Sequence, residues 1–165
     1  MLTGMVLIIW MSATANASIS PAGDTTKLYD PNANVATDVA ACIRQAKREN
    51  KQVMLQIGGN WCVWCYRFNA FVETDSTLRN LLHNNYIVYH LNYSRENMNL
   101  DYLAKLGFPQ RFGFPVIVIL DSSGTRIHTQ NSALLEKGNG YDFEKVRGFF
   151  IDWSPNALNP AYYKQ

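Results

Sequence analysis

Apolar residues return along this chain at two spacings, and the spacings divide it into elements. Between Val35 and Asn50, residues Val39, Cys42, Ile43 and Ala46 fall on one face at three- and four-residue intervals, which predicts a helix. Lys51 to Ile57 (KQVMLQI) predicts a strand, which Gly58-Gly59-Asn60 breaks at once. From Cys62 the helical spacing resumes through Cys65, Phe68, Phe71 and Val72. A second helical stretch, Asp75 to Asn84, carries Leu78, Leu81 and Leu82.

Tyr86 to Leu91 predicts the next strand, and Leu100 to Leu106 a short helix. Val116-Ile117-Val118-Ile119-Leu120 is a continuous apolar run suited to a buried strand. Asp121-Ser122-Ser123-Gly124 then turns the chain into Thr125 to Thr129, completing a hairpin. Asp142 is placed to cap a last helix whose apolar face is Phe143, Val146, Phe149, Phe150 and Trp153. Ser18 to Asn34, with Pro21, Gly23, Asp30, Pro31 and Asn32, reads as a loop holding a short strand around Lys27 to Tyr29. Ser132 to Gly140 reads as an insertion before the last helix.

An alternating first half followed by a hairpin and a helix predicts an α/β domain, with a mixed sheet covered by helices on both faces. That domain spans 35–154, with 155–165 as a C-terminal tail. The 165 residues are 47% hydrophobic and 13% aromatic, enough for one core, and no break in composition marks a second domain. The formal charge of +2 is mild and the basic residues are scattered, which argues against nucleic acid or an anionic membrane as partner.

Met1 to Ala17 is uncharged, apolar from Met5 to Met11, and ends in Ala15-Asn16-Ala17. This pattern predicts a signal peptide cleaved after Ala17 and a periplasmic or secreted protein. The apolar run is short of the roughly 20 residues that span a bilayer, so a retained anchor is the lesser alternative.

The chemistry concentrates in Trp61-Cys62-Val63-Trp64-Cys65-Tyr66. Haem attachment requires histidine directly after the second cysteine, where Tyr66 stands. A closed zinc site wants about four ligands, and beyond the pair only Cys42, His83, His90 and His128 remain, none closely paired. No metal and no dissociable cofactor are expected. For a redox pair there is a physical argument. Cys62 falls at the first turn of a helix, where unpaired N–H groups and the dipole favour a thiolate that attacks a disulfide. Cys65, one turn on and facing the core, is placed to resolve the mixed disulfide. Cys42 is then the odd thiol, expected to be buried and inert.

The strand, the glycine pair and Trp-Cys-Val-Trp-Cys, followed later by Gly113-Phe114-Pro115 before a strand, resemble the thioredoxin-like superfamily. The resemblance covers roughly residues 27–153 and is greatest for exported or short members with a Trp-Cys-x-x-Cys site. It implies a thioredoxin-like fold with a cis peptide at Pro115 lying against the cysteines, and Phe114 offering backbone groups to a substrate strand. Trp61, Trp64, Phe112 and Phe114 would form an aromatic rim for extended polypeptide. Two departures stand out. Gln56, which cannot titrate, occupies the place of the superfamily's buried acid, and His90 falls near the place of that acid's lysine partner, where a histidine could accept a proton. Val63-Trp64 replaces Gly-Pro between the cysteines.

The expected function is exchange of disulfides with cysteine-containing proteins, by a monomer. A reducing direction in an oxidising compartment would draw on a membrane thiol electron donor. The rival from another class is a binding module on the same fold whose cysteine pair stays oxidised.

Overall fold

Among the described residues, the apolar runs of β-type lie side by side in a four-stranded mixed sheet. The computed structural model describes residues 27–164, so the expected leader and the loop up to residue 26 lie outside the described residues. In chain order the elements are α1 (Val35–Glu49), β1 (Gln52–Gly58), α2 (Val63–Thr74), α3 (Ser76–Asn85), β2 (Tyr86–Asn92) and α4 (Leu100–Lys105). They continue with β3 (Val116–Leu120), β4 (Arg126–Asn131), β5 (Glu136–Lys137), β6 (Gly140–Tyr141) and α5 (Phe143–Asp152). The sheet order is β2-β1-β3-β4, with β1 parallel to β2 and antiparallel to β3, and β3 and β4 form the expected hairpin.

Strand alternation sorts the core into two layers. Val53, Leu55 and Ile57 with Val116, Val118 and Leu120 pack under α1 and α4. Met54, Ile117 and Ile119 face the other way, onto Phe68 and Val72 of α2, Leu78 and Leu82 of α3, and Val146, Phe149 and Phe150 of α5. Every residue of β1 is buried, as a central strand covered on both faces requires.

Short polar side chains set the helix boundaries. Asn34 caps α1 by accepting from Thr37 N at 3.1 Å, and Asn50 ends it in the left-handed region at φ 52°. Asp75 stands between α2 and α3 and accepts from Thr77 N and Leu78 N, both at 2.9 Å, so the chain turns there instead of continuing one helix. Asp142 caps α5 as expected, accepting from Glu144 N and Lys145 N.

Two expectations need correction. Lys27 to Tyr29 is not a strand. The backbone of Tyr29 is held by a side chain instead: its N–H donates to Asn60 Oδ1 at 3.1 Å, and Asn60 Nδ2 donates to Tyr29 O at 2.7 Å. One amide supplies the pairing a neighbouring strand would have given. Ser132 to Gly140 is not a bare insertion either, since it folds into a 3-10 turn at Ser132–Leu135 and the β5–β6 ribbon. The tail beyond the domain carries a further 3-10 turn, Pro160–Tyr163.

Candidate active site

The end of β1 and the start of α2 bring the two cysteines together. Cys62 and Cys65 are joined by a disulfide. Cys62 is the capping residue of α2, one position before the first turn, and its sulfur accepts from Cys65 N at 3.2 Å. A sulfur in a capping position faces the unpaired N–H groups and positive end of the helix, which is where a thiolate is best stabilised. Cys65 is wholly buried and Cys62 is 4% exposed, while Trp61 at 56% and Val63 stand open on either side.

Two glycines make room for this turn. A Cβ on Gly58 would lie 2.4 Å from Cys65 Sγ and 2.8 Å from Tyr29 Oη. A Cβ on Gly59 would lie 2.4 Å from Trp61 Nε1 and 2.7 Å from Tyr93 O, in the path of the hydrogen bond that Trp61 Nε1 donates to Tyr93 O at 2.8 Å. With its indole thus fixed, Trp61 meets Phe114 edge-to-face at 5.3 Å, and Phe114 stacks on Tyr93 at 4.8 Å. Pro115 is buried behind Phe114 and the Phe114–Pro115 peptide is cis.

Trp61, Phe114 and Tyr93 thus join in one aromatic group at the rim, and Phe114 and Trp64 both pack against the cysteine cluster. Phe112 is exposed and carries the Arg111 guanidinium over its ring. A groove of about 530 Å³ opens next to Trp61, between Tyr93, Arg95 and Met98. A larger one of about 740 Å³ lies between the start of α1 and the 96–105 stretch, and neither cysteine lines it.

Trp64 is half-buried and turned inward. Its ring takes Tyr141 edge-on at 5.7 Å and the Arg67 guanidinium at 4.8 Å, and its carbonyl accepts from Tyr141 Oη at 3.2 Å. The ribbon that delivers Tyr141 is thus a prop under the first turn of α2. Cys42 is half-buried on the opposite layer of the core, so the expectation of full burial is corrected: it lies at the margin of the α1 apolar stripe. Burial first, and Asp38 second, push its thiol pKa up, which lowers its reactivity.

Gln56 lies beneath the pair and is nearly inaccessible. Its Nε2 donates to Tyr29 Oη at 3.0 Å and to Cys65 O at 3.2 Å. His90 is the register partner of Gln56 on β2 and reaches the site through Tyr29, whose ring it meets edge-on at 5.4 Å. Its Nε2 is buried with no hydrogen-bond partner. Tyr29, Asn60, Tyr93 and Tyr141 are thus site residues that the sequence patterns did not single out.

Burial holds the His90 pKa below its ordinary value, with Glu73 opposing in part. The unfolded chain therefore takes up this proton first, near pH 6.5, and the folded one only lower down. The stability linked to neutral His90 is complete above about pH 6.5 and is lost as pH falls from there toward the folded pKa. Denaturant midpoints should drop between pH 7.5 and pH 5.5, and His90→Gln should shrink the drop. Equal drops in both chains would show that His90 contributes nothing to it.

The chain matches the family described as thioredoxin-like over residues 33–122, from the start of α1 past the end of β3. No curated protein matches it. Among solved structures, a disulphide isomerase from Xylella fastidiosa Temecula1 is 23% identical with a TM-score of 0.65, over 75% of this chain and 94% of that one. The oxidised C-terminal domain of Neisseria meningitidis DsbD is 18% identical with a TM-score of 0.52, over 73% and 96%. A DsbH oxidoreductase is 17% identical with a TM-score of 0.53, over 73% and 82%. Identities this low carry the fold and no more. The family match is of another kind, since it spans more than half of the sequence and includes both cysteines and the Phe114–Pro115 loop: the chain belongs to the thioredoxin-like family.

Proposed function

We propose that this chain is an exported thiol–disulfide oxidoreductase that exchanges disulfides with protein cysteines through Cys62 and Cys65. The observation that carries this reading is the disulfide at the capping position of α2, with Cys62 nearest the open rim and Cys65 sealed behind it. In the reducing direction the Cys62 thiolate attacks a substrate disulfide, and one substrate sulfur leaves as a thiolate. Cys65 then attacks Cys62, the second substrate sulfur leaves, and two electrons have passed to the substrate. Trp61, Phe114 and Tyr93 hold an extended substrate segment, with the Phe114 backbone beside it and Pro115 behind. Export rests on the Met1–Ala17 leader pattern. The supply of electrons is assigned to a membrane thiol donor.

The test is alkylation of Cys62 as a function of pH together with the redox equilibrium against glutathione. A depressed Cys62 pKa and a disulfide in measurable exchange with glutathione are expected. An ordinary thiol pKa and a disulfide that glutathione leaves intact would sink the enzyme reading. That outcome would favour the binding module, a reading to which the 4% exposure of Cys62 lends weight.

A further inference from the structure

Tyr29 precedes the segment that matches the family, yet its ring closes the buried side of the disulfide. It is 2% exposed and packs in one cluster with Cys62 and Cys65. Its hydroxyl and Cys65 Sγ crowd the same point, the place a Cβ on Gly58 would take, at 2.8 Å and 2.4 Å from it. The Asn60 clamp on the Tyr29 backbone fixes the ring there.

Gln56 decides which way the hydroxyl proton points. Its amide hydrogen-bonds both the Cys65 carbonyl and Tyr29 Oη. A carbonyl only accepts, so the amide end at this spot is the nitrogen, and Tyr29 Oη also receives a proton from it. Tyr29 keeps its own proton to give. Burial, opposed in part by the Gln56 hydrogen bond, pushes the phenol pKa far above its ordinary value, so that proton is present throughout the neutral range. The other titratable groups facing it are His90, edge-on; Tyr66, whose hydroxyl donates to Asn60 Oδ1 at 2.9 Å; Tyr141; and the cysteine pair. None of these is a carboxylate.

We propose that, once the disulfide opens, the Tyr29 hydroxyl donates a hydrogen bond to the Cys65 sulfur and stabilises its thiolate, a help different in kind from the proton acceptance that a titratable acid at position 56 would give. The inference rests on the exchange reading above. In the resolving step the Cys65 S–H proton passes to solvent, and the Cys65 thiolate, held by the Tyr29 O–H, attacks Cys62 Sγ. The bond from Cys62 to the substrate sulfur breaks, and that sulfur leaves with the electron pair and takes up a proton. Tyr29 ends each cycle with the proton it began with.

In a Cys42→Ala, Cys62→Ser background Cys65 is the sole thiol, and its ionisation is read from the carbon NMR shift of a labelled cysteine Cβ without any turnover. Tyr29→Phe keeps the ring and removes the donor, and should raise the Cys65 pKa by about one unit, as losing a charge-assisted hydrogen bond does. 3-Fluorotyrosine at position 29, a stronger donor of nearly the same shape, should lower it. With both active-site cysteines present, Tyr29→Phe should slow release from a mixed disulfide about threefold at pH 7, because the roughly tenfold loss of thiolate is offset in part by the greater nucleophilicity of the more basic sulfur, and the gap should close as pH rises toward the Cys65 pKa. Cys65 titrating alike in the parent, phenylalanine and fluorotyrosine chains would overturn the proposal. If the phenylalanine variant does not fold, the fluorotyrosine chain decides. Failure of the exchange reading has another signature, an unreactive Cys62 in the native chain while the Cys65 shift persists.

Discussion

Cys62→Ser should abolish disulfide exchange, down to the background of free thiols, whereas Cys65→Ala should leave attack possible and trap its product. The contrast follows from where the two sulfurs sit. Serine is a good capping residue, so a hydroxyl in place of the Cys62 sulfur still accepts from the start of α2 and the fold persists. The chemistry does not persist, because a hydroxyl forms no disulfide. At position 65 the lost group is an intramolecular nucleophile. Such groups act with effective concentrations on the order of 10⁵ M or more, which a millimolar external thiol cannot replace, so release should slow at least about a thousandfold. Mass spectrometry should then find a substrate adduct on Cys62 in Cys65→Ala and none in Cys62→Ser. A stable adduct on Cys65 in Cys62→Ser would reverse the assigned roles.

Gly58→Ala is the second large effect, and it strikes fold and site together. The added carbon has nowhere to go: it would sit 2.4 Å from Cys65 Sγ and 2.8 Å from Tyr29 Oη, and both groups are buried and anchored. Overpacking of this kind costs about 2 kcal/mol. For a chain of this size that corresponds to a fall in Tm of roughly 6 °C. The site should respond as well, since the methyl group pushes the Tyr29 ring away from the cysteines. A Gly58→Ala chain with the parent Tm and the parent redox equilibrium would mean that this contact relaxes freely.

The sheet was legible from the sequence because each strand announces itself by what the pleat demands. QVMLQIG and VIVIL are fully apolar-compatible runs bounded by breakers, and their alternation sorts them onto two layers without further information. The cysteine pair was legible for a similar reason, its spacing being one helical turn. The Tyr29–Asn60 clamp was not, since a side-chain amide pairing with a distant backbone has no period. Strands of two residues, as in β5 and β6, are too short to alternate, so the ribbon that props Trp64 through Tyr141 looked like an insertion. Tyr93 and Tyr141 carry the same letter as any core tyrosine, and only the folded chain distinguishes the rim from the prop. The strand positions of His90 and Gln56 could be paired beforehand, but the tyrosine between them arrives from the irregular stretch before α1, which no periodicity ties to the site.

The distribution of sequence separations around the disulfide has a consequence for the newborn chain. Cys62 and Cys65 are neighbours on the backbone, whereas Tyr29 joins them from before α1 and Phe114-Pro115 from after α4. Closing such long loops is entropically slow, and the parallel β1–β2 pairing adds to the delay. In an oxidising compartment the two thiols can therefore meet an oxidant before the walls of their groove are built. The bond that defines the chemistry needs only one turn of chain to form, whereas the groove that governs it needs contacts drawn from across the sequence.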